Sequence, residues 1–212
     1  MGLDMVQVSV ASTNLCTMTS VRILMVDNRD SFTWNLVHDL GRSGAEVEVR
    51  QAGEWDTEDA ERFDGIVLSP GPGLPNESPG LMHLVKAWAP HHPILGVCLG
   101  LQALVEWSGG GLRQMEQVRH GMQATALRTG TSPILTPLPD RFEVGHYHSW
   151  CADRSVLPAC WRITSVAEND PELVLSLAHE TLPLEAVQFH PESVLTPMGR
   201  VVLAEWLATL RA

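Results

Sequence analysis

The sequence predicts an α/β domain built on an open, mostly parallel sheet flanked by helices, with antiparallel strands added to it. Three observations carry the prediction. Apolar runs of strand length alternate with amphipathic stretches of helical period through the first half of the chain. Gly and Pro clusters punctuate the joins between them. The residues able to do chemistry fall just past the ends of apolar runs, where open α/β sheets place their ligands.

Val21 to Val26 reads as the first strand. Asp30 is placed to cap a helix that carries Phe32, Leu36, Val37 and Leu40 and ends at Gly41 and Gly44. Glu46 to Arg50 makes a second strand, and residues 65–69 a third that runs into a Pro-Gly loop. A helix follows around Leu81 to Trp88. Residues 94–97 form the next strand, and the helix after it stops at Gly109-Gly110-Gly111. From about 112 to 190 helical period fades. Short runs at 123–127, 144–149, 161–167, 173–178 and 184–189 predict the antiparallel additions. A last helix spans about Met198 to Leu210. No repeat, low-complexity tract or internal domain boundary interrupts this order.

The run Pro93-Ile94-Leu95-Gly96-Val97-Cys98-Leu99-Gly100-Leu101-Gln102 is the most informative in the chain. A strand ends in Gly-x-Cys-x-Gly and a helical pattern begins at once, which is a nucleophile elbow with sulfur in place of hydroxyl. The glycines leave room for a turn too tight for neighbouring side chains. The turn would hold Cys98 strained at a helix N-terminus, where the macrodipole and free N–H groups favour the thiolate. A buried cysteine in an ordinary strand-to-helix turn is the alternative.

Ala186-Val187-Gln188-Phe189-His190-Pro191-Glu192-Ser193 follows another apolar run. A thiolate nucleophile needs a base, and the base needs an acceptor to fix its tautomer. His190 and Glu192 offer these roles from a neighbouring strand end. Both residues are ordinary alone and informative beside a Cys elbow. In Ser69-Pro70-Gly71-Pro72-Gly73-Leu74-Pro75 the prolines leave Gly71 the only N–H among residues 70–72. That N–H and the one of Leu99 could form an oxyanion hole, in which losing one donor costs about 3 kcal/mol. A stiff turn is the plain alternative.

These three segments, in this order, resemble the class I (triad) glutamine amidotransferases, and within them the small subunits of anthranilate and aminodeoxychorismate synthases. Asp27-Asn28-Arg29-Asp30-Ser31-Phe32-Thr33-Trp34-Asn35-Leu36-Val37 is similar to the subgroup's opening signature, and His120-Gly121 and Tyr147-His148-Ser149 fall where the subgroup has such residues. The resemblance covers about residues 21 to 210. It implies a flavodoxin-like fold and an amidotransferase domain over 21–212. It also implies a glutaminase in which Cys98 attacks the carboxamide of L-glutamine and His190, oriented by Glu192, serves ammonia release and thioester hydrolysis. Bound glutamine would lie against Gly71, Pro72, Gly73, Gln102, Ser149 and Trp150. The partner implied is a chorismate-using synthase subunit of tryptophan or folate biosynthesis, which takes the ammonia before water protonates it. No metal or organic cofactor is needed.

Four positions depart from the subgroup pattern. Leu101 stands where His or Met is frequent, Met122 where Lys is usual, Arg29 where an aromatic is common, and Trp150 where Leu is common. Arg29 and Met122 bear on the partner contact and Trp150 on the glutamine pocket. Gln102, one turn beyond Cys98, has a half-exposed helix position as its plain alternative. Two other functions stay open: a stand-alone cysteine hydrolase of γ-glutamyl amides, and a non-catalytic binding subunit.

Composition narrows the classes. At 212 residues and 44% hydrophobic the chain can bury one sizeable core. Lys and Arg number 14 against 25 Asp and Glu, a net charge of −11, which disfavours nucleic acid or an anionic membrane as partner. Cys16, Cys98, Cys151 and Cys160 lack metal or redox spacing, and with no secretory signal they read as reduced and cytosolic. His146 and His148 could share a strand face as two metal ligands, but no third ligand accompanies them. Residues 1–20 read as an extension, either disordered or upstream of a true start at Met18.

Overall fold

The computed structural model describes residues 20–54 and 57–211. Its strands are β1 (Val21–Asp27), β2 (Ala45–Gln51), β3 (Gly65–Leu68), β4 (Ile94–Val97), β5 (Leu112–Arg128), β6 (Arg141–Ala152), β7 (Trp161–Ala167), β8 (Asp170–His179) and β9 (Leu184–Val187). Its helices are α1 (Thr33–Arg42), α2 (Leu81–Trp88), α3 (Leu99–Trp107) and α4 (Gly199–Thr209). The strands form one sheet in the order β2-β1-β3-β4-β9-β8-β7-β5-β6. The first five are parallel and the last four antiparallel, so the expected architecture holds.

The parallel half is apolar on both faces, as a sheet covered by helices must be. Along β1, Ile23 and Met25 point to one core with Leu36 and Leu40 of α1 and Leu203, Trp206 and Leu207 of α4. Leu24 and Val26 point to the other, with Leu81, Leu84 and Val85 of α2 and Leu104 and Val105 of α3. From β1 the chain passes outward to β2 and then returns to β3 on the other side. The carboxyl ends of β1, β3, β4 and β9 therefore open onto one crevice.

Several boundaries differ from the sequence reading. α1 starts at Thr33, with Phe32 in the capping position, and Asp30 is not the cap. Asp30 Oδ1 instead accepts the Phe32 N–H at 2.7 Å, closing a turn ahead of the helix. β5 begins at Leu112, well before the expected residue 123. Gln114, His120, Met122 and Gln123 are exposed and register shifts fall at 114/119 and 120/122, so this strand has no clean period of two to read. β6 likewise starts at Arg141 rather than 144. The extension expected over 1–20 lies, Ser20 apart, outside the described residues. Among the described residues no helix is long and apolar enough to cross a membrane.

At the opposite end of the sheet from that crevice, Glu185 is largely buried and burial pushes its carboxyl up to about 7, against the hydrogen bond from Ser132 Oγ (2.8 Å) and the charge of Arg162. Its folded value lies above its unfolded one, so its contribution to stability is full below about pH 4.5 and is lost as pH rises through about 7. Glu185→Gln keeps the acceptor for Ser132 and removes the charge. We expect it to stabilise the fold at pH 8 by about 2 kcal/mol, or about 6 °C in Tm, and to leave pH 4 unchanged. Equal melting of variant and parent at pH 8 would show that Glu185 carries no such strain.

Candidate active site

Cys98 joins β4 to α3 with φ 53 and ψ −99, and it is one of two non-glycine residues with positive φ among those described, the other being Arg29. Such a backbone is costly for a side-chain-bearing residue, and the surroundings hold it. The Cys98 N–H donates to Val187 O at 2.8 Å, and the Gln102 N–H to Cys98 O at 3.1 Å. Gly100 packs so closely that a Cβ there would lie 2.5 Å from Leu68 O. The thiol thus stands at the N-terminus of α3, as the Gly-x-Cys-x-Gly spacing predicts.

The Pro-Gly loop lies alongside. A Cβ on Gly71 would come within 2.5 Å of Leu99 Cδ2 and 2.7 Å of Asn28 Cβ, so this position admits only glycine without a shift. Asn28 ties the loop to β1. Its N–H donates to Ser69 Oγ (2.9 Å), its Nδ2 to Ser69 O (2.9 Å), and its Oδ1 accepts from Ser78 Oγ (2.8 Å). The opening signature is therefore, in part, a brace for the loop that carries Gly71.

His190 follows β9, with Nδ1 2.7 Å from Glu192 Oε1. Its backbone is bound to β6: the His190 N–H donates to Gly145 O (3.1 Å), and Thr196 Oγ1 donates to His190 O (2.6 Å) while accepting from the Gly145 N–H (2.9 Å). The ring is nearly buried under Tyr147 and Phe32, at centroid distances of 4.8 and 5.5 Å. Burial alone would lower its proton affinity, but hydrogen bonds and charge from Cys98 and Glu192 outweigh it and push the imidazole up to about 10. Nε2 is buried with no hydrogen-bond partner among the described residues, and Cys98 is one of the two groups that raise the ring's proton affinity. Glu192 Oε2 also has no hydrogen-bond partner among the described residues, so His190 is what answers the carboxylate's charge.

One cavity of about 470 Å³ gathers Gly71, Pro72, Gly73, Cys98, Gln102, Ser149 and Trp150 with Arg29, Asp30, Ser31, His120, Tyr147 and His148. Its size is usual for small-molecule clefts. His190 and Leu99 lie beside this space rather than on its wall. Gln102 departs from expectation. It is 2% exposed, not half-exposed, and its Nε2 donates to Trp150 O at 2.9 Å and to Gln188 Oε1 at a long 3.5 Å. Both amide protons are committed, which leaves Oε1, an acceptor, as its free polar atom. His146 and His148 do share a strand face, but His146 Nδ1 meets His148 Nε2 at 2.9 Å, so those nitrogens face each other rather than a common ion.

Two contributors have no role assigned from sequence. Tyr147 covers His190 and its hydroxyl meets Ser193 Oγ at 2.9 Å. Gln188 is fully buried beside the nucleophile. Its signal is a polar residue directly after an apolar strand and two places before His190.

The family described as "Glutamine amidotransferase class-I" matches residues 24–210. Anthranilate synthase component 2 of Mycobacterium tuberculosis is 41% identical over 192 residues, covering 88% of this chain and 82% of the relative. Aminodeoxychorismate/anthranilate synthase component 2 of Bacillus subtilis is 35% identical over 191 residues, 89% and 97% of the two chains. A crystal structure from Thermoplasma acidophilum, described as part of a GMP synthase, superposes with a TM-score of 0.82 at 23% identity, over 91% and 94% of the chains.

Proposed function

Because this chain belongs to the class I glutamine amidotransferases, we propose that it is the glutaminase subunit of a chorismate-using synthase, forming anthranilate or 4-amino-4-deoxychorismate with its partner. The observation that carries the chemistry is the buried His190–Glu192 pair set against Cys98, itself held at positive φ on a helix N-terminus.

Cys98, as thiolate, adds to the δ-carboxamide carbon of glutamine. The carbonyl oxygen, now an oxyanion, is held by the N–H groups of Gly71 and Leu99. His190, whose Nδ1 is fixed by Glu192, gives the Nε2 proton to the departing nitrogen, and ammonia leaves a glutamyl thioester. His190 then takes a proton from water, which attacks the thioester and returns glutamate and the Cys98 sulfur. Gly71, Pro72, Gly73, Gln102, Ser149 and Trp150 enclose the substrate. Arg29 and Asp30, on the same wall, supply one cation and one anion for the zwitterionic head of an amino acid.

The synthase partner follows from the relatives' names and from the product. Ammonia freed into neutral water is protonated and lost as a nucleophile, so a partner must receive it at the crevice. We place the protein in the cytosol, in keeping with Cys98, Cys151 and Cys160 standing as thiols outside any disulfide.

The test is glutamate release from glutamine by the purified protein, alone and with a chorismate-binding synthase subunit, with Cys98→Ser as control. We expect slow release alone, stimulation by the partner, and a loss of at least about 10⁴-fold in the variant. The aromatic product then names the branch. Full activity without a partner would instead mark a stand-alone hydrolase, and activity surviving in Cys98→Ser would refute the thiolate mechanism.

A further inference from the structure

Gln188 lies between β9 and His190 and is fully buried. Its Nε2 stands 3.6 Å from Cys98 Sγ, an ordinary length for an N–H donor to sulfur. Its Oε1 faces Gln102 Nε2. Which end of each amide points where follows from one fixed acceptor. The Trp150 carbonyl can only accept, and it is approached by Gln102 at 2.9 Å and by His148 Nδ1 at 3.0 Å. Gln102 must therefore turn its NH₂ toward Trp150. The second proton of that NH₂ then meets Gln188 Oε1, so the Gln188 NH₂ is left facing the sulfur. The reverse orientation would set oxygen against oxygen at Trp150 and oxygen against sulfur at Cys98. The same carbonyl sets the His148 tautomer: Nδ1 carries the proton, and Nε2 meets His146 Nδ1.

We propose that Gln188 is a donor to the nucleophilic sulfur, aimed from the Trp150 carbonyl through Gln102, so that the wall of the glutamine pocket and the nucleophile form one directed hydrogen-bonded unit. This rests on the reading of Cys98 as the glutaminase nucleophile. An N–H pointed at sulfur favours the anion over the thiol. The titratable and charged groups that face this sulfur are His190 with Glu192 behind it, and Arg29, Asp30, His120, Tyr147 and His148 around the shared cavity. His148, and His146 behind it, connect to the sulfur through Trp150 and Gln102. A substrate that displaces the Trp150 carbonyl would loosen Gln102 and, in turn, the donor on the sulfur. Pocket occupancy and nucleophile state are thereby coupled without any moving domain.

Alkylation of Cys98 by iodoacetamide, read peptide by peptide across pH, tests this without requiring turnover. In Gln188→Met, which keeps the volume and removes the N–H, we expect alkylation about tenfold slower at pH 6 and equal near pH 10. That corresponds to one lost hydrogen bond to a charged atom. Gln188→Glu, which sets a second negative charge beside the sulfur, should displace the profile further in the same direction. Gln102→Leu should give a smaller displacement, and the Gln102→Leu/Gln188→Met pair none beyond Gln188→Met alone. With glutamine, kcat should fall in Gln188→Met while KM stays near the parent value. Folded variants, judged by their melting curves, that keep the parent's alkylation profile would overturn the proposal. A parent without glutaminase activity beside its synthase partner would overturn the glutaminase reading instead, with the alkylation result standing on its own.

Discussion

His190→Asn is expected to lower glutamine hydrolysis by about 10⁴-fold with the partner present, leaving the fold intact. In the proposed mechanism two proton transfers converge on this ring, one to the leaving nitrogen and one from water, and no other titratable group stands at hydrogen-bond distance from Glu192 Oε1 among the described residues. The loss should appear in kcat, because the Gly71 loop, Gln102 and the Ser149-Trp150 segment line the cavity and His190 does not. Glu192→Gln should cost less, since it keeps an acceptor beside Nδ1 and removes only the charge. A thermal series gives a second readout. The imidazole is raised to about 10 in the fold, so its contribution to stability is full below about pH 6.5 and is lost as pH rises through about 10. His190→Asn should flatten the melting curve in that window, and an unchanged slope there would contradict the pairing.

Gly199→Ala is expected to have the second largest effect, although residue 199 lies on α4 and touches no substrate. A Cβ there would fall 1.8 Å from Pro191 O and 2.6 Å from Pro191 C. The obstacle is backbone, so either the start of α4 or the His190-Pro191-Glu192 segment has to move. Overpacking of this kind costs about 1–3 kcal/mol, here about 3–9 °C in Tm. The larger consequence is catalytic. A shift of 1 Å between base and nucleophile can cost about 10²-fold in rate. We therefore expect glutamate release to drop at least about 10²-fold in protein that still folds. Gly41→Ala in α1 is the control: its Cβ meets nothing within 4 Å, so helix propensity should raise stability by about 0.5–1 kcal/mol with activity unchanged. Parent-like kinetics in Gly199→Ala would show that α4 does not fix the His190 segment.

Much of this protein is legible in one dimension because the physics that sets it is local. The strand runs at 21–26, 94–97 and 161–167, the helix from Leu81 to Trp88 and the elbow at Cys98 each depend on neighbours within a few residues. β-strand period, helix period and Gly-x-Cys-x-Gly spacing record such neighbours directly. The start of α1 is displaced by two residues because Asp30 can serve a turn as readily as a cap, and only the path from β1 into the helix chooses between them. β5 reads short in sequence because a strand with register shifts and consecutive exposed residues at 120–123 obeys no simple period.

The sequence by itself determined the fold class, the family, and which residue types stand at strand ends with the chemistry of a Cys-His-Glu site. Tertiary structure decided how their atoms are aimed. That Gln102 offers an oxygen rather than an NH₂ to the cavity, that Gln188 faces Cys98 Sγ across 90 positions of sequence, and that Gly199 presses on Pro191 are facts about groups brought together from different strands and helices. So is the burial of Glu185, whose chemical type in sequence reads as solvent-facing. Hydrogen-bond direction, desolvation and close contact are set by which distant surfaces meet, and a linear pattern records only which residues are available to meet.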